Sequence, residues 1–368
     1  MQSRRHTAAS KKTRRGFTLI ELLVVIAIIA TLMSLILPAI QNAREAGRRT
    51  QCLNNMKNVT LATLSFATSN KSRLPALGYF PQNSSGMRFN GRSWAVELLP
   101  HIDQQGTYDR WNKDQPFNSN YNSPLAQNLY VEAFACPNDD SAYATPGGLS
   151  YVANAGFGDA LVITNDGGAV QHSTLQEQFN WNGNAVTNDI AASPPVNDPE
   201  DTKITKATGV FWSEFKGSGL LAQTRNGSAS VGKVYDGSEN TIMFGENINA
   251  GGESWADPRM RAVGFMFPLD PTLVDPTTMI NPTGAIATNA SGDLPAYPNE
   301  AKSGPEGSPY LNSNHPGIVV ISMVGGSART ISENIDKRVY LQLMTPGGTR
   351  LRSITGFRPE NPLSGDSF

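Results

Sequence analysis

The chain has only two cysteines, Cys52 and Cys136, among 368 residues. Two cysteines cannot form a multiply crosslinked disulfide scaffold, and without a C-x-x-C spacing they cannot provide a zinc site by themselves. If the body of the protein is exported, a single Cys52–Cys136 disulfide suits an oxidising compartment. Two separate buried thiols are the alternative that the sequence leaves open.

Basic residues are scarce beyond the start of the chain. Residues 1–16 hold six of the 30 Lys and Arg residues and no acidic residue, which leaves 24 basic against 31 acidic residues, a net charge of −7, in the rest. The other dense basic stretch is Arg44–Arg49, so the composition argues against nucleic acid as a partner. The basic cluster directly precedes an apolar run, which makes it a membrane-topology signal.

Motifs for nucleotide binding and nucleophilic catalysis are missing from the sequence, which has no Walker loop, no G-x-G-x-x-G and no G-x-S-x-G. We therefore expect that the protein is not an enzyme and that it has no cofactor and no metal site. A lone histidine such as His315 is expected to be structural, with a role in binding a ligand as the alternative. A cation site made by Asp139, Asp140 and Glu246 is a weaker expectation, because no D-x-D-x-D-G loop accompanies them.

The sequence does contain one long apolar run, from Phe17 to Leu37, in which Glu21 is the only charged residue. As a helix rising about 1.5 Å per residue, this run is long enough to cross the hydrocarbon core of a bilayer. We predict a single membrane span, with the N-terminus in the cytoplasm and the body outside. A secretory signal peptide or a twin-arginine signal explains the run less well, because it is long and no small-x-small cleavage site follows it.

The residues RRGFTLIELLVVIAII, which begin at Arg14, closely resemble the N-terminus of type IV pilins and type II secretion pseudopilins. The resemblance implies that a prepilin peptidase removes the leader, residues 1–16, after Gly16 and that Phe17 becomes the N-methylated first residue. Glu21 is then the fifth residue of the mature chain, where that family keeps a glutamate. A carboxylate within a membrane helix costs a few kcal/mol unless it finds a partner. The amino group of Phe17 in a neighbouring subunit is the expected partner.

Residues 38–70 are predicted to continue the same helix beyond the membrane. Pro38 ends the purely apolar run but is tolerated as a kink in a membrane helix. Beyond it, one amphipathic face recurs at a spacing of three to four residues: Leu53, Met56, Val59 or Thr60, Thr63, and Phe66 or Ala67. We predict one helix over residues 17–69, whose first half, 17–37, lies in the membrane and whose second half packs on the body. This is also the pilin pattern.

Residues 71–368 form the predicted body, in which short apolar runs alternate with clusters of Gly, Pro, Asn and Ser. The whole chain has 34 Gly and 24 Pro. This pattern predicts a β-rich, loop-rich extracytoplasmic domain, so the expected fold class is α+β. Two polar stretches, residues 160–206 and 266–310, are expected to be large insertions or an irregular subdomain.

Short segments of the body occur in an order that resembles a large bacterial family of unknown function, whose members join a prepilin-type N-terminus to a domain ending in His, nine residues and Asp-Gly. The segments are Arg92–Pro100, His101–Tyr108, Phe134–Asp139, Ser150–Gly156, Asp236–Glu246 and Asn314–Gly317. Here nine residues separate His315 from Gly325-Gly326, which stands in place of Asp-Gly. Gly-Gly can adopt the positive φ angles of a two-residue type I′ turn, so we predict a hairpin with strands Ile318–Val324 and Ser327–Ile331. Gly325 cannot replace the carboxylate of the missing Asp.

Together these features predict a pilin-like structural subunit anchored in the inner membrane, in a type II secretion or type IV pilus-like assembly. Its expected partners are prepilin peptidase, the membrane and other pilin-like subunits. The alternative, from another functional class, is a membrane-anchored glycan-binding module that does not polymerise. Trp94, Trp111 and Tyr108 are expected to be core aromatics, with sugar stacking as the alternative role.

Overall fold

The structure is a computed structural model, and it describes residues 19–84, 89–156, 162–164, 170–172, 207–216, 229–250, 252–266, 298–299 and 310–347. The predicted leader, residues 1–16, and the Gly16–Phe17 junction lie outside the described residues. So do most of the polar stretches 160–206 and 266–310. The chain divides into two compact units at Gly47.

The longest element is helix α1, Leu19–Ser69, which agrees with the prediction of a single helix from residue 17 to 69. Pro38 lies inside it without ending it. In the first unit the large apolar side chains from Leu19 to Ile40 are about half exposed or more. In the second unit one face of the helix is buried, and it consists of Cys52, Asn55, Met56, Val59, Thr60, Ala62, Thr63 and Ala67. Met56, Val59, Thr60, Thr63 and Ala67 of the predicted amphipathic face are among them. The predicted Leu53 and Phe66 are half-buried.

The rest of the described chain forms short strands and short helices. The strands are β1 Gly78–Phe80, β2 Arg92–Ser93, β3 Tyr151–Gly156, β4 Val162–Thr164, β5 Val170–His172, β6 Glu214–Phe215, β7 Ile242–Glu246, β8 Gly264–Met266, β9 Ile318–Met323 and β10 Ala328–Ser332. The helices after α1 are α2 Trp94–Leu98, α3 Gln105–Arg110, α4 Ser123–Gln127, α5 Met260–Val263 and α6 Lys337–Met344. The β-rich body and the long helix make the fold α+β, as predicted.

A five-stranded mixed sheet with the order β10-β9-β7-β3-β8 lies at the centre of the body. From β10 to β3 each strand pairs antiparallel with its neighbour, and β8 pairs parallel to β3. Strands β3 and β7 are buried along their whole length. A three-stranded sheet, β2-β1-β6, and the hairpin β4-β5 complete the strand pairing of the described residues.

Two apolar clusters cover the two faces of the central sheet, because successive side chains of a strand point to opposite faces. Tyr151 and Ala153 of β3 belong to the first cluster, which also contains the buried face of α1. Val152 belongs to the second cluster, together with Leu343 and Met344 of α6. The second half of α1 therefore packs on one face of the sheet and α6 on the other.

Strands β9 and β10 form the predicted hairpin, but the predicted two-residue turn at Gly325-Gly326 is wrong. The Met323 amide donates to the Ser327 carbonyl at 2.8 Å, and the Gly326 amide donates to the Met323 carbonyl at 3.0 Å. The loop is therefore three residues, Val324–Gly326. Of the two glycines only Gly326 has a positive φ, 103°, whereas a type I′ turn needs a positive φ at both central residues.

The environment of Gly325 explains why a glycine occupies this position although its φ is not positive. Its amide donates to the Ser238 carbonyl at 2.8 Å, and a Cβ at this position would overlap the carboxylate of Glu239. That carboxylate also accepts a 2.6 Å hydrogen bond from the hydroxyl of Ser327. Gly325 is therefore needed for close approach to the Ser238–Asn240 turn rather than for its own backbone conformation.

Candidate functional site

A disulfide joins the buried face of α1 to the body. Cys52 and Cys136 are bonded, with a Cα–Cα distance of 4.9 Å and a sequence separation of 84. Asn55 lies one turn further along the same face, and its amide nitrogen donates to the carbonyls of Glu132 and Ala135 at 3.1 and 3.0 Å. Of the two alternatives that the sequence left open, the structure therefore contains the disulfide rather than two separate thiols.

The imidazole of His315 lies against this disulfide and is fully buried. Its Nε2 atom is 3.5 Å from the Sγ atom of Cys136. Its Nδ1 atom is 3.3 Å from the Nδ2 atom of Asn138. An amide nitrogen only donates, so this contact makes Nδ1 the acceptor and puts the ring proton of a neutral imidazole on Nε2. Gly317, with a φ of 70°, then turns the chain from this position into β9.

Glu246, the last residue of β7, lies on the other side of the imidazole and is 1% exposed. Its Oε1 atom is 3.6 Å from Nε2 of His315. Its Oε2 atom accepts a hydrogen bond of 3.1 Å from the backbone amide of Val320 in β9. Strand pairing also places Glu246 directly opposite Tyr151 of β3. The central strands of the sheet thus fix the carboxylate between β9 and His315.

Tyr151 connects this carboxylate to the disulfide. Its hydroxyl donates to the carbonyl of Cys52 at 3.2 Å, and the residue is fully buried. Burial raises the pKa of Tyr151 well above its usual value, and the nearby carboxylates of Glu246 and Asp139 raise it further. The phenol therefore keeps its proton over the ordinary pH range and acts as a hydrogen-bond donor.

Asp139 is a structural carboxylate. Its Oδ2 atom accepts from the hydroxyl of Ser150 at 2.7 Å, and its Oδ1 atom accepts from the amide and hydroxyl of Ser141 at 3.0 and 2.6 Å. Asp140 is exposed. The expected combination of Asp139 and Asp140 with Glu246 is therefore not the arrangement the structure presents, since both oxygens of Asp139 stabilise the turn that precedes β3.

Glu246 is instead grouped with His315 and the two cysteines. One ligand atom from each of Cys52, Cys136, Glu246 and His315 lies within 4.8 Å of the others, and all four residues are buried. The sequence predicted no metal site, because these residues come from four distant segments and share no local spacing. Cys136, Glu246 and His315 each lie in a segment that carries the family resemblance, but nothing in the sequence grouped them with Cys52.

The candidate sugar-stacking aromatics are mostly core residues. Trp94 is fully buried and Trp111 is 5% exposed. The indole nitrogen of Trp94 donates to the carbonyl of Val263 at 2.9 Å. Tyr108 is half-buried, with the ammonium of Lys113 4.4 Å from its ring centre. The two tryptophans are therefore not accessible as stacking surfaces.

The apolar first part of α1 carries a single described acidic residue, Glu21, in its first turn. The large apolar side chains around it are exposed. Among the described residues, α1 is the one helix that is long and apolar enough to cross a membrane. The negative charge lies where the dipole of the helix favours it.

Two family models match the chain. One, described as the prokaryotic N-terminal methylation motif, matches residues 11–37 and so includes Gly16, Phe17 and Glu21. The other, described as a protein of unknown function (DUF1559), matches residues 41–338, which include the whole cysteine, histidine and glutamate cluster. No curated protein and no solved structure shows a significant match to the chain. The N-terminus is thus that of a precursor similar to type IV pilins and pseudopilins.

Proposed function

We propose that this chain, which belongs to the DUF1559 family, is a pilin-like structural subunit rather than an enzyme. Prepilin peptidase cleaves it between Gly16 and Phe17, and the mature protein stays anchored in the inner membrane through α1. It assembles with other pilin-like subunits through the same helix. The observation that carries the proposal is the prepilin-type motif at residues 11–37, placed directly before an exposed apolar helix.

The charge distribution and the disulfide support an extracytoplasmic body. The basic residues of 1–16 precede the apolar run, which favours retention of the leader in the cytoplasm. The body beyond the span contains the Cys52–Cys136 disulfide. Disulfides persist in the periplasm and outside the cell but are rare in the cytosol. Both features favour the same orientation, with the N-terminus inside and the body outside.

Glu21 is the residue that we assign to assembly. A carboxylate inside the hydrocarbon core costs about 3 kcal/mol on insertion scales unless a partner neutralises it. Cleavage after Gly16 creates a new amino group at Phe17, four residues before Glu21. That amino group on a neighbouring subunit provides the opposite charge, so the helices associate more strongly in pairs or filaments than alone in the bilayer.

Intact mass of the protein extracted from membranes tests the processing step. The expected mass lacks residues 1–16 and carries one added methyl group. Gly16→Val should block cleavage, whereas Gly47→Val, which alters a helix glycine with open space around its Cβ position, should leave cleavage unchanged. An uncleaved chain starting at Met1, or loss of the entire apolar run, contradicts the proposal.

Crosslinking between helices tests assembly separately. Ser34→Cys adds a cysteine near the end of the span that leads to the body, and it should link neighbouring subunits in membranes of the producing cell. Glu21→Gln should reduce the linked dimer at least several-fold, while Glu45→Gln on the same helix outside the apolar run should not. Equal amounts of linked dimer in Glu21→Gln and Glu45→Gln would show that Glu21 has no role in assembly. An absence of linked dimer in the parent favours the alternative, a glycan-binding module that does not polymerise.

A further inference from the structure

The anchoring role leaves one buried cluster unexplained. Cys52, Cys136, Glu246 and His315 bring two sulfur atoms, a carboxylate oxygen and an imidazole nitrogen within 4.8 Å of one another. They belong to α1, to the loop before β3, to the end of β7 and to the turn before β9. A disulfide needs only the two cysteines, so it does not account for the convergence of the other two side chains.

We propose that, with Cys52 and Cys136 as a dithiol, these four side chains bind one Zn²⁺ in a tetrahedral site. The disulfide and the metal site are then alternative states of the same four residues. Two Cys sulfurs, one His nitrogen and one carboxylate oxygen are all ligand types that Zn²⁺ accepts, and four protein ligands characterise closed structural sites.

The distances around His315 match such a site. Bond lengths of about 2.3 Å to sulfur and about 2.05 Å to nitrogen place the two ligand atoms about 3.6 Å apart in a tetrahedron. The observed distance from Nε2 to the Sγ atom of Cys136 is 3.5 Å. Nitrogen and oxygen ligands lie about 3.4 Å apart in the same geometry, and Nε2 is 3.6 Å from Oε1 of Glu246.

The separation of the two sulfurs must change before the metal can bind. Tetrahedral Zn²⁺ sets two thiolates about 3.8 Å apart, whereas the two sulfurs are bonded to each other in the disulfide. The metal state therefore requires the dithiol, and rotation of the Cys52 side chain must separate the sulfurs while Cys136 keeps its distance from His315. The Cα atoms, 4.9 Å apart, are separated enough for both side chains to point at a common ion.

Neighbouring groups hold two of the ligands in place. The Val320 amide binds Oε2 of Glu246 and so directs Oε1 to His315. Asn138 lies at Nδ1 of His315. When Nε2 binds metal, the ring proton moves to Nδ1, and a half-turn of the Asn138 amide presents its oxygen as the acceptor. The same side chain thus serves the imidazole in both states.

The chemistry of the exchange is balanced. An external dithiol supplies two electrons and two protons to the Cys52–Cys136 bond and becomes a disulfide itself. Binding of Zn²⁺ to the two thiols then releases two protons. The net charge of the cluster does not change, because two thiolates cancel the charge of the ion. Since all four residues are buried in the folded protein, the choice between the two states is made while the chain folds.

Refolding with a spectroscopic metal tests the proposal. The full-length protein is first unfolded in denaturant with excess dithiol, which reduces the disulfide. The denaturant and the dithiol are then removed in detergent under anaerobic conditions, and the protein refolds in the presence of Co²⁺ as the probe. We expect one equivalent to bind, with the visible bands of tetrahedral Co²⁺ and a thiolate-to-cobalt charge-transfer band. Added Zn²⁺ should displace it. Protein that keeps its disulfide should bind neither ion tightly.

Variants decide whether all four residues are ligands. His315→Asn and Glu246→Gln should each weaken binding by at least about 100-fold, and Asn138→Ala by about tenfold. His101→Ala is the matched control, because this imidazole contacts the hydroxyl of Ser65 and lies outside the cluster. Circular dichroism checks that each variant folds.

Protection of the thiols gives a readout that does not depend on the variants. In the refolded parent protein, Zn²⁺ should slow oxidation of the two cysteines by a small disulfide at least tenfold, and a chelator should remove the protection. No binding by the dithiol protein, an octahedral spectrum, or equal affinity in His315→Asn, Glu246→Gln and the parent would each overturn the proposal.

Discussion

Removal of the Cys52–Cys136 bond should destabilise the body by an amount that follows from its position in the chain. The two cysteines are 84 residues apart, and closing a loop of about that length in the unfolded chain corresponds to about 4.5 kcal/mol in the loop-entropy model. Native disulfides typically contribute about 2 to 5 kcal/mol. We therefore expect Cys52→Ala/Cys136→Ala to lose about 3 to 5 kcal/mol of unfolding free energy.

Urea unfolding of the full-length protein in detergent, with a chelator present, measures this loss. The fluorescence of the tryptophans reports it, since Trp94, Trp111 and Trp255 are buried in the body. With a urea dependence of about 3 kcal/mol per molar, the midpoint should fall by about 1 to 1.7 M.

The single variants provide the internal control. Cys52→Ala and Cys136→Ala remove the same bond, so each should lose nearly as much as the double variant, and the effects should not add. A dithiol should lower the midpoint of the parent protein and leave that of the double variant unchanged. A loss below about 1 kcal/mol, or additive single variants, would refute the loop-closure reasoning.

Three further changes test other contacts. Asn55→Ala should cost about 2 to 3 kcal/mol in urea unfolding, because two backbone carbonyls lose their donor. Asn70→Ala, at an exposed position directly after the same helix, should cost under about 1 kcal/mol. Gly325→Ala should cost about 1 kcal/mol by displacing the Glu239 carboxylate, and the same change should cost less in a Glu239→Ala background; an unchanged cost there would contradict this cause. Burial raises the pKa of Tyr151 in the folded protein, so the folded state keeps a proton that the unfolded chain loses above about pH 10. The free energy of unfolding should therefore fall as the pH rises beyond that point. In alkaline unfolding followed by circular dichroism, Tyr151→Phe should make this fall shallower. An equal dependence on pH in the variant and the parent would show that Tyr151 is not its cause.

The sequence was most informative where one signal repeats over many residues. Helix α1 has an apolar run followed by a face at the helical period, and both its length and its buried face agree with the prediction. The hairpin β9–β10 was also predicted, because two strand-like segments flank two glycines. Its turn was not, because Gly325 makes close contacts with Ser238 and Glu239, which are distant in the chain.

Other features depend on pairing between distant segments and so left no local signal. Strand β7 lies between β3 and β9, and β8 pairs parallel to β3. Helix α6, Lys337–Met344, is short and was not predicted. The contact of His315 with Cys136, 179 positions away, follows from this topology. Residue type alone made both residues noticeable, but only the sheet order brings them together.

The disulfide also determines which part of the chain carries mechanical load. If tension is applied to α1 from its N-terminal side, as in a filament pulled from the membrane, the covalent path runs along the helix to Cys52 and crosses directly to Cys136. The residues between them lie in a closed loop that bears no tension while the bond is intact. Reduction would put that loop, including the end of α1 and the short helices α2 to α4, in series with the load.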